Sequence, residues 1–466
     1  MIKFLFFDYR DYEIVKGFER KLGPPRKHSE SPFLVSDDPA EENVITMYGS
    51  VLRRPDDGLW QMWYTVRNDL GLCLAYAESQ DGLDWSRPKL DVIRYKGKKT
   101  HLVFDAAPHG ATVMYDPKEE RPEWKYKMLC GARPSNRISG FRSPDGVHWS
   151  PLPRNPVTGS NPDSPMSLHR AEDGRYVAYH RPNFGDRRVG RSESWDFLQW
   201  SEPKLVMEPD AADPPQMQFY GLGSIPYGAY EVGTLWIYQT FTDDMDFYKM
   251  KGHQQPELAY ARSGYSWHRV AQGTPLIRRG PKGSWDWGMV QCASSPVLLE
   301  EEIRFYYAAF RVAHPWGGSD GKIRERCGIG MARMKPDRFV SLSTGSRPAT
   351  LLTRPFWTDC PEFYLNASTS KGGAVKAEIT ELDGRAIRGF SFKESVAFNG
   401  NAIRHRLAWN SQSDPSKLAH RQIRLRIRAT DARLYSVASG TEDEIRTYWK
   451  FRIPFYLNME SEKRMG

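Results

Sequence analysis

The sequence predicts an all-β chain: a five-bladed β-propeller followed by a C-terminal β-sandwich. Three observations predict it. First, a heptapeptide of the form S-x-D-G-x-x-W recurs. It is carried by Ser79, Asp81, Gly82 and Trp85, then by Ser143, Asp145, Gly146 and Trp149. It decays to Ser194, Asp196 and Trp200, and to Ser263, Gly264 and Trp267. The tryptophans stand 64, 51 and 67 residues apart, and a near-constant step marks a repeat architecture. Second, each copy closes a run of short segments rich in Trp, Tyr, Val and Ile, which fit a pleated, half-buried surface. Third, no long amphipathic helical pattern appears.

The elements follow in order. In the first unit, residues 45–52 read as a strand and Arg54-Pro55-Asp56-Asp57-Gly58 as a turn. Residues 59–65 and 72–78 read as the next two strands, and the heptapeptide leads into a short fourth. Second strands recur at 124–129, 175–180, 235–240 and 303–309, and third strands at 138–142, 188–191, 257–262 and 328–333. The fifth unit ends in a degenerate Lys335-Pro336-Asp337. Four antiparallel strands in each of five units describe a five-bladed propeller. From about residue 347 the pattern changes. Strands are expected at 351–354, 362–367, 374–382, 387–392, 404–409 and 422–430, with a hairpin turn at Leu382-Asp383-Gly384-Arg385. This second all-β part reads as a sandwich. The expected division is 1–40 for a strand and lead-in, 41–345 for the propeller and 346–466 for the sandwich. A strand at 4–9 could join either domain.

Composition bounds the rest. A chain of 466 residues holds two full cores. The 15 Trp and 23 Tyr pack blades and offer flat faces for sugar rings. The net charge of +9 is diffuse, which argues against nucleic acid and suits an acidic substrate. Five Cys lie far apart without a C-x-x-C pair, so neither a disulfide framework nor a zinc site is implied. No apolar run is long enough for a membrane span. Residues 4–7 are too short for a signal core, and Asp8 ends them. A cytoplasmic protein is expected, although a trimmed secreted form would read the same.

In a blade the strands run A, B, C, D outward from the axis. The A–B and C–D turns share one face, and the B–C loops and the D-to-A links share the other. The heptapeptide falls in C–D turns, where its Ser and Asp oxygens serve the turn's own backbone. Chemistry is expected on the opposite face, at the ends of the inner strands. Its links carry Glu41 and Glu42, Asp105 and His109, Asp163, Asp213 with Gln218 and Tyr220, and Asp286 with Trp287. Clustered carboxylates repel and suit general acid–base work. The catalytic candidates are Asp163, Glu42, Asp286 and Asp213. Asp163, between two prolines, leads them. The substrate-binding candidates are His109, Tyr220, Gln218, Trp287, Arg181, Arg188 and Trp316, with His180 and His314 also at the mouth. Arg67, Arg133, Arg187 and Arg311 fall on the same loops, and arginine clusters grip carboxylate or sulfate.

With these residues in place, the chain resembles the five-bladed propeller glycosidases of the invertase/levanase and arabinanase/xylosidase superfamily, as a distant branch. The resemblance covers residues 41 to about 345. It implies three working carboxylates at the inner strands of blades one to three. Glu42 and Asp163 match blades one and three, and His109 or Asp105 stands where the family has Asp in blade two. The chain lacks the family's W-x-N-D-P-x-G, R-D-P and E-C motifs, and Asp213 and Asp286 are alternative acids. The expected function is hydrolysis of a glycosidic bond in an oligo- or polysaccharide by paired carboxylates. Alternatives are a lectin-like carbohydrate-binding propeller, a protein scaffold and a sialidase-like enzyme. The expected partner is a carbohydrate, anionic by the arginines, with no nucleic acid and no membrane. No cofactor is expected. A central Ca²⁺ occurs in some relatives but has no motif here.

Overall fold

The computed structural model describes the chain except residues 43, 133–136, 159–162, 183–185, 242–250, 315–326, 412–413 and 453–466, and except the side chains of residues 163 and 415. Five antiparallel blades follow in sequence order. Their inner strands are Ile45–Arg53, His109–Tyr115, Asp163–Arg170, Met217–Tyr227 and Met289–Cys292. Their B strands are Trp60–Asn68, Tyr126–Ala132, Tyr176–Arg181, Tyr230–Thr240 and Ile303–Phe310, and their C strands are Gly71–Ser79, Arg137–Ser143, Val189–Ser194, Gly252–Ala261 and Cys327–Met334. The first four blades end in short outer strands, Leu102–Phe104, Ser150–Pro151, Lys204–Met207 and Trp267–Arg269.

Blade five takes its outer strand from the other end of the chain. Arg26–Lys27 pairs with Ala332 and Arg333, and Leu34–Val35 with Gly328 and Ile329. The ring is therefore closed by hydrogen bonds rather than by covalent continuity.

The hydrophobic cores fall at blade interfaces, as flat stacked sheets require. Blades five and one share Met289, Phe310, Ile45 and Met47. Blades one and two share Trp63, Tyr76, Val113 and Tyr126. Blades two and three share Leu129, Ile138, Leu168 and Phe197. Blades three and four share Tyr179, Val189, Phe219 and Leu235. The interface of blades four and five, with Leu258, Val290 and Ile303, runs on into the C-terminal sheet. Each fully buried aromatic here is worth about 3–5 kcal/mol against alanine.

The heptapeptide turns are built as expected and do one thing more. Ser79 Oγ accepts from the Gly82 N–H at 2.8 Å, and Asp81 accepts from Leu83 and Asp84. The carbonyl of the turn glycine then accepts from an aromatic in the B strand of the preceding blade. Tyr306 bonds Gly82, Trp63 bonds Gly146, and Tyr179 bonds Gly264, at 2.7, 2.7 and 3.0 Å. By strand register, blade two has Leu129 at that position. Its partner turn replaces glycine with Phe197, whose buried ring belongs to the same core as Leu129.

The C-terminal part is all-β. Arg421–Ser439 and Phe363–Thr380, of 19 and 18 residues, form its spine. The latter spans two of the expected strands, because bulges at 366/367 and 369/374 bend it without ending it. Residues 387–392 form turns rather than a strand. Trp409 and Phe390 nevertheless pack there, and Trp409 Nε1 donates to Ala377 O. Three N-terminal strands complete the sheet: Ile2–Leu5 pairs with residues 436–439, Tyr12–Lys16 with 350–353, and Glu19–Leu22 with 340–343. All strands of this sheet pair antiparallel. Among the described residues, no helix is long and apolar enough to cross a membrane.

Candidate active site

Four inner strands carry a register irregularity near the mouth end: between Thr46 and Ser50, His109 and Thr112, Asp163 and Ser167, and Phe219 and Gly221. A bulge adds a residue, bends the strand and re-aims its side chains. Deeper down the axis is knit by serines. Ser50 and Ser294 lie 2.7 Å apart, and Ser167 and Ser224 2.9 Å apart, which gives the mouth a floor.

A connected cluster stands above that floor. His109 opens the inner strand of blade two, and its Nδ1 is 2.8 Å from Ser164 Oγ. Ser164 follows Asp163 at the start of blade three, in a left-handed conformation with φ +45. The strands come this close because residue 110 is glycine: a Cβ there would lie 2.6 Å from Ser164 Cα. Arg181, across the ladder from Asp163, donates to Ser164 Oγ at 2.5 Å. Its guanidinium lies 4.9 Å from the Tyr220 ring, and Arg187 lies at the same distance from that ring. Arg187 also donates to Gln218 Oε1 at 2.8 Å. Tyr220 Oη meets His314 Nε2 at 3.1 Å, and His314 Nδ1 meets Tyr238 Oη at 3.2 Å. Burial raises the Tyr238 phenol to about 12 although Arg187 pulls the other way, so it stays protonated. Tyr48 and Trp236 complete the wall, stacked at 5.8 Å, with Tyr48 tilted over His109. All these residues are buried except His109, which is half-buried.

The cluster gathers His109, Arg181, Gln218 and Tyr220 from the sequence candidates. The Asp163 backbone stands beside it, while its side chain lies outside the described residues. The other acids are held elsewhere. Asp213 is ion-paired to Arg269 and accepts from Gln272. Burial pushes its carboxyl up, but the hydrogen bonds from Arg269, Asp210 and Gln272 more than offset this and hold it below the ordinary range. Asp286 is bound by Lys27 and Ser284. Glu42, at φ +43 on the rim, accepts from Tyr95 and Lys96 and keeps 34% of its side chain exposed. Its neighbour Glu41 is fully buried between Tyr64, Arg87 and His101. Arg188 pairs with Asp186 and Glu208 at the outer edge of blade three, and the adjacent Arg187 reaches the cluster instead. His180 bonds Ser192 within blade three. Trp287 packs on His253 at the blade-five rim. Trp316 and Arg133 lie outside the described residues. Among the described residues, no three His, Cys, Asp or Glu side chains are placed to hold a metal ion.

Sequence reasoning missed Ser164, Tyr48 and Tyr238. Ser164 matters through a positive φ that no residue type announces, and the two tyrosines sit in strand patterns that read as core.

No family model matches the chain, and no curated protein matches it. Solved structures do. An N-acetylgalactosamine deacetylase from F. plautii in complex with blood group B trisaccharide is 16% identical, with a TM-score of 0.45, over 69% of this chain and 97% of that one. The catalytic domain of a Coprinopsis cinerea GH62 α-L-arabinofuranosidase is 14% identical, with a TM-score of 0.44, over 67% and 98%. A thermostable family-43 glycoside hydrolase is 14% identical, with a TM-score of 0.43, over 64% and 93%. The chain is similar in structure to a deacetylase and to glycoside hydrolases, and its five-bladed assignment rests on the strand pairing described above.

Proposed function

We propose that this protein is a glycoside hydrolase acting on an acidic glycan at the axial well, with Asp163 as a catalytic carboxylate. One observation carries the reading. His109, Ser164, Arg181, Arg187 and Tyr220 converge from blades two, three and four on the inner-strand position that Asp163 opens. A carboxylate beside imidazole and phenol groups can exchange protons with a glycosidic oxygen or a water. Two guanidiniums on one wall suit a carboxylate or sulfate on the substrate. Glycoside hydrolysis ordinarily uses a second carboxylate. We assign that role to Glu42, which stands on the rim and keeps 34% of its side chain exposed, and we assign Asp213 and Asp286 to structural ion pairs.

The test is a screen of neutral, uronic and sulfated aryl glycosides and oligosaccharides with wild type and Asp163→Asn. The variant should lose roughly 10²–10⁴-fold in kcat. Unchanged turnover removes Asp163 from the mechanism. A non-catalytic carbohydrate-binding propeller is the second reading, and the ion pairing of Asp213 and Asp286 favours it. It requires binding without turnover in the same screen.

A further inference from the structure

At the rim where blade four meets blade five, Arg279 ends a stretch of the link that leads to the inner strand of blade five. Its Nη1 donates to the backbone oxygen of Trp287, and its Nε is buried with no hydrogen-bond partner. Among the described residues no carboxylate pairs with it. The nearby acid, Asp286, is already bound by Lys27 and Ser284. Burial alone, with no counter-charge to oppose it, holds the Arg279 guanidinium below the ordinary arginine value. A partly desolvated cation without an anion is unfavourable until something supplies the charge.

Beside it three rings form a stepped ledge, each meeting the next edge to face at 69° and 79°. Phe241 and His253 are 4.7 Å apart, and His253 and Trp287 4.8 Å apart. Phe241 is 55% exposed, and the other two are half-buried. His253 Nδ1 lies 3.0 Å from the carbonyl of Gly288, which can only accept, so Nδ1 donates. Burial and the Arg279 charge hold His253 below its ordinary value, in the neutral form. Its Nε2 is then an acceptor for a hydroxyl. An exposed aromatic ring, a hydroxyl acceptor and a guanidinium with no counter-charge among the described residues are the parts needed to hold a charged pyranose.

We propose that Arg279, His253, Trp287 and Phe241 form a rim subsite for an acidic sugar unit, with Arg279 taking its oxyanion and the ledge taking its ring. The oxyanion is a uronic carboxylate or a sulfate ester. The subsite is distinct from the Arg181 and Arg187 pair in the well. It rests on the glycan reading above for the kind of ligand, but not on catalysis.

The test is an NMR titration of the full-length protein, following the backbone amide signals of His253 and Gly288. The probes are methyl glucuronide, glucose 6-sulfate and neutral methyl glucoside. Wild type should bind at least one acid about tenfold or more tighter than the neutral sugar. The acid preferred tells carboxylate from sulfate. Arg279→Met should erase that preference, Arg279→Lys should keep part of it, and Trp287→Ala should weaken all three probes alike. The inference is overturned by wild type without an acid preference. It is also overturned by a preference that survives Arg279→Met, or by one lost in Arg187→Met instead. Asp163→Asn should leave this binding intact. Arg279-dependent binding in a protein that cleaves nothing would therefore sink the hydrolase reading and leave the subsite standing.

Discussion

Gly146 stands at φ +79 in the blade-two turn, and a Cβ there would lie 2.5 Å from Trp63 Cζ2. Two penalties therefore meet at one residue, backbone strain and collision with a fully buried indole. Gly97 has the same φ with nothing within 4 Å, so it isolates the first penalty. Gly97→Ala should cost about 1–2 kcal/mol in urea unfolding, and Gly146→Ala should add about 1–3 kcal/mol of overpacking. Equal costs would show that the indole yields freely. This residue was the most legible in the chain, since the heptapeptide announces the glycine. What the motif hides is its partner. Trp63 is one aromatic among several in its strand, and only the register reveals that it bonds the next blade. Asp213 and Asp286 mark the reverse case. Their positions read correctly as links on the mouth face, but Arg269 and Lys27, distant in sequence, neutralise them.

At the scale of elements, blades two and three are joined by a buried ionic knot. Asp116 accepts from Lys127 at 3.3 Å, Arg170 at 3.0 Å and Tyr176 at 2.9 Å, and Lys127 also reaches Glu119 at 3.2 Å. The Arg121 hydrogen bond, aided by Lys127, holds Glu119 at about 2 against an ordinary 4.5. Burial pushes Asp116 up, but Lys127, Tyr176 and Arg170 bring it below its ordinary value. Both folded-state values are depressed, so the stabilisation is present above about pH 4.5 and is lost as pH falls toward 2. Unfolding free energies between pH 5 and 2 should fall accordingly, and Glu119→Gln should flatten the decline. A slope identical to wild type would remove Glu119 from the knot. None of this was readable in advance. Asp116-Pro117 lies at the far end of its strand, and lysine in a B strand reads as a solvated face.

At the scale of the molecule, one aspartate ties the propeller to the C-terminal sheet. Asp337 accepts from Lys3 at 2.9 Å, Tyr227 at 2.5 Å and Ser436 at 2.7 Å, which joins the N-terminal strand, blade four and the C-terminal sheet. Lys3 is 2% exposed and Asp337 5%. Removing one partner strands the other's charge, so Asp337→Asn should cost about 3–5 kcal/mol, and Lys3→Met with Asp337→Leu should recover much of it. A single variant within 1 kcal/mol of wild type, roughly the worth of an exposed pair, would deny the tie. In sequence this aspartate was only a decayed heptapeptide. The repeat reading located the turn, while the second role depended on packing between segments more than three hundred residues apart.

The borrowed outer strand of blade five has a cost in time. Residues 26–35 emerge about three hundred residues before their partners, 327–334, are made. Until then blade one lacks its neighbour and an unfinished sheet edge stays bare, the condition that invites pairing with a second nascent chain. Ring completion is thus a long-range, slow event, and crowded expression should punish this protein more than its native stability would suggest.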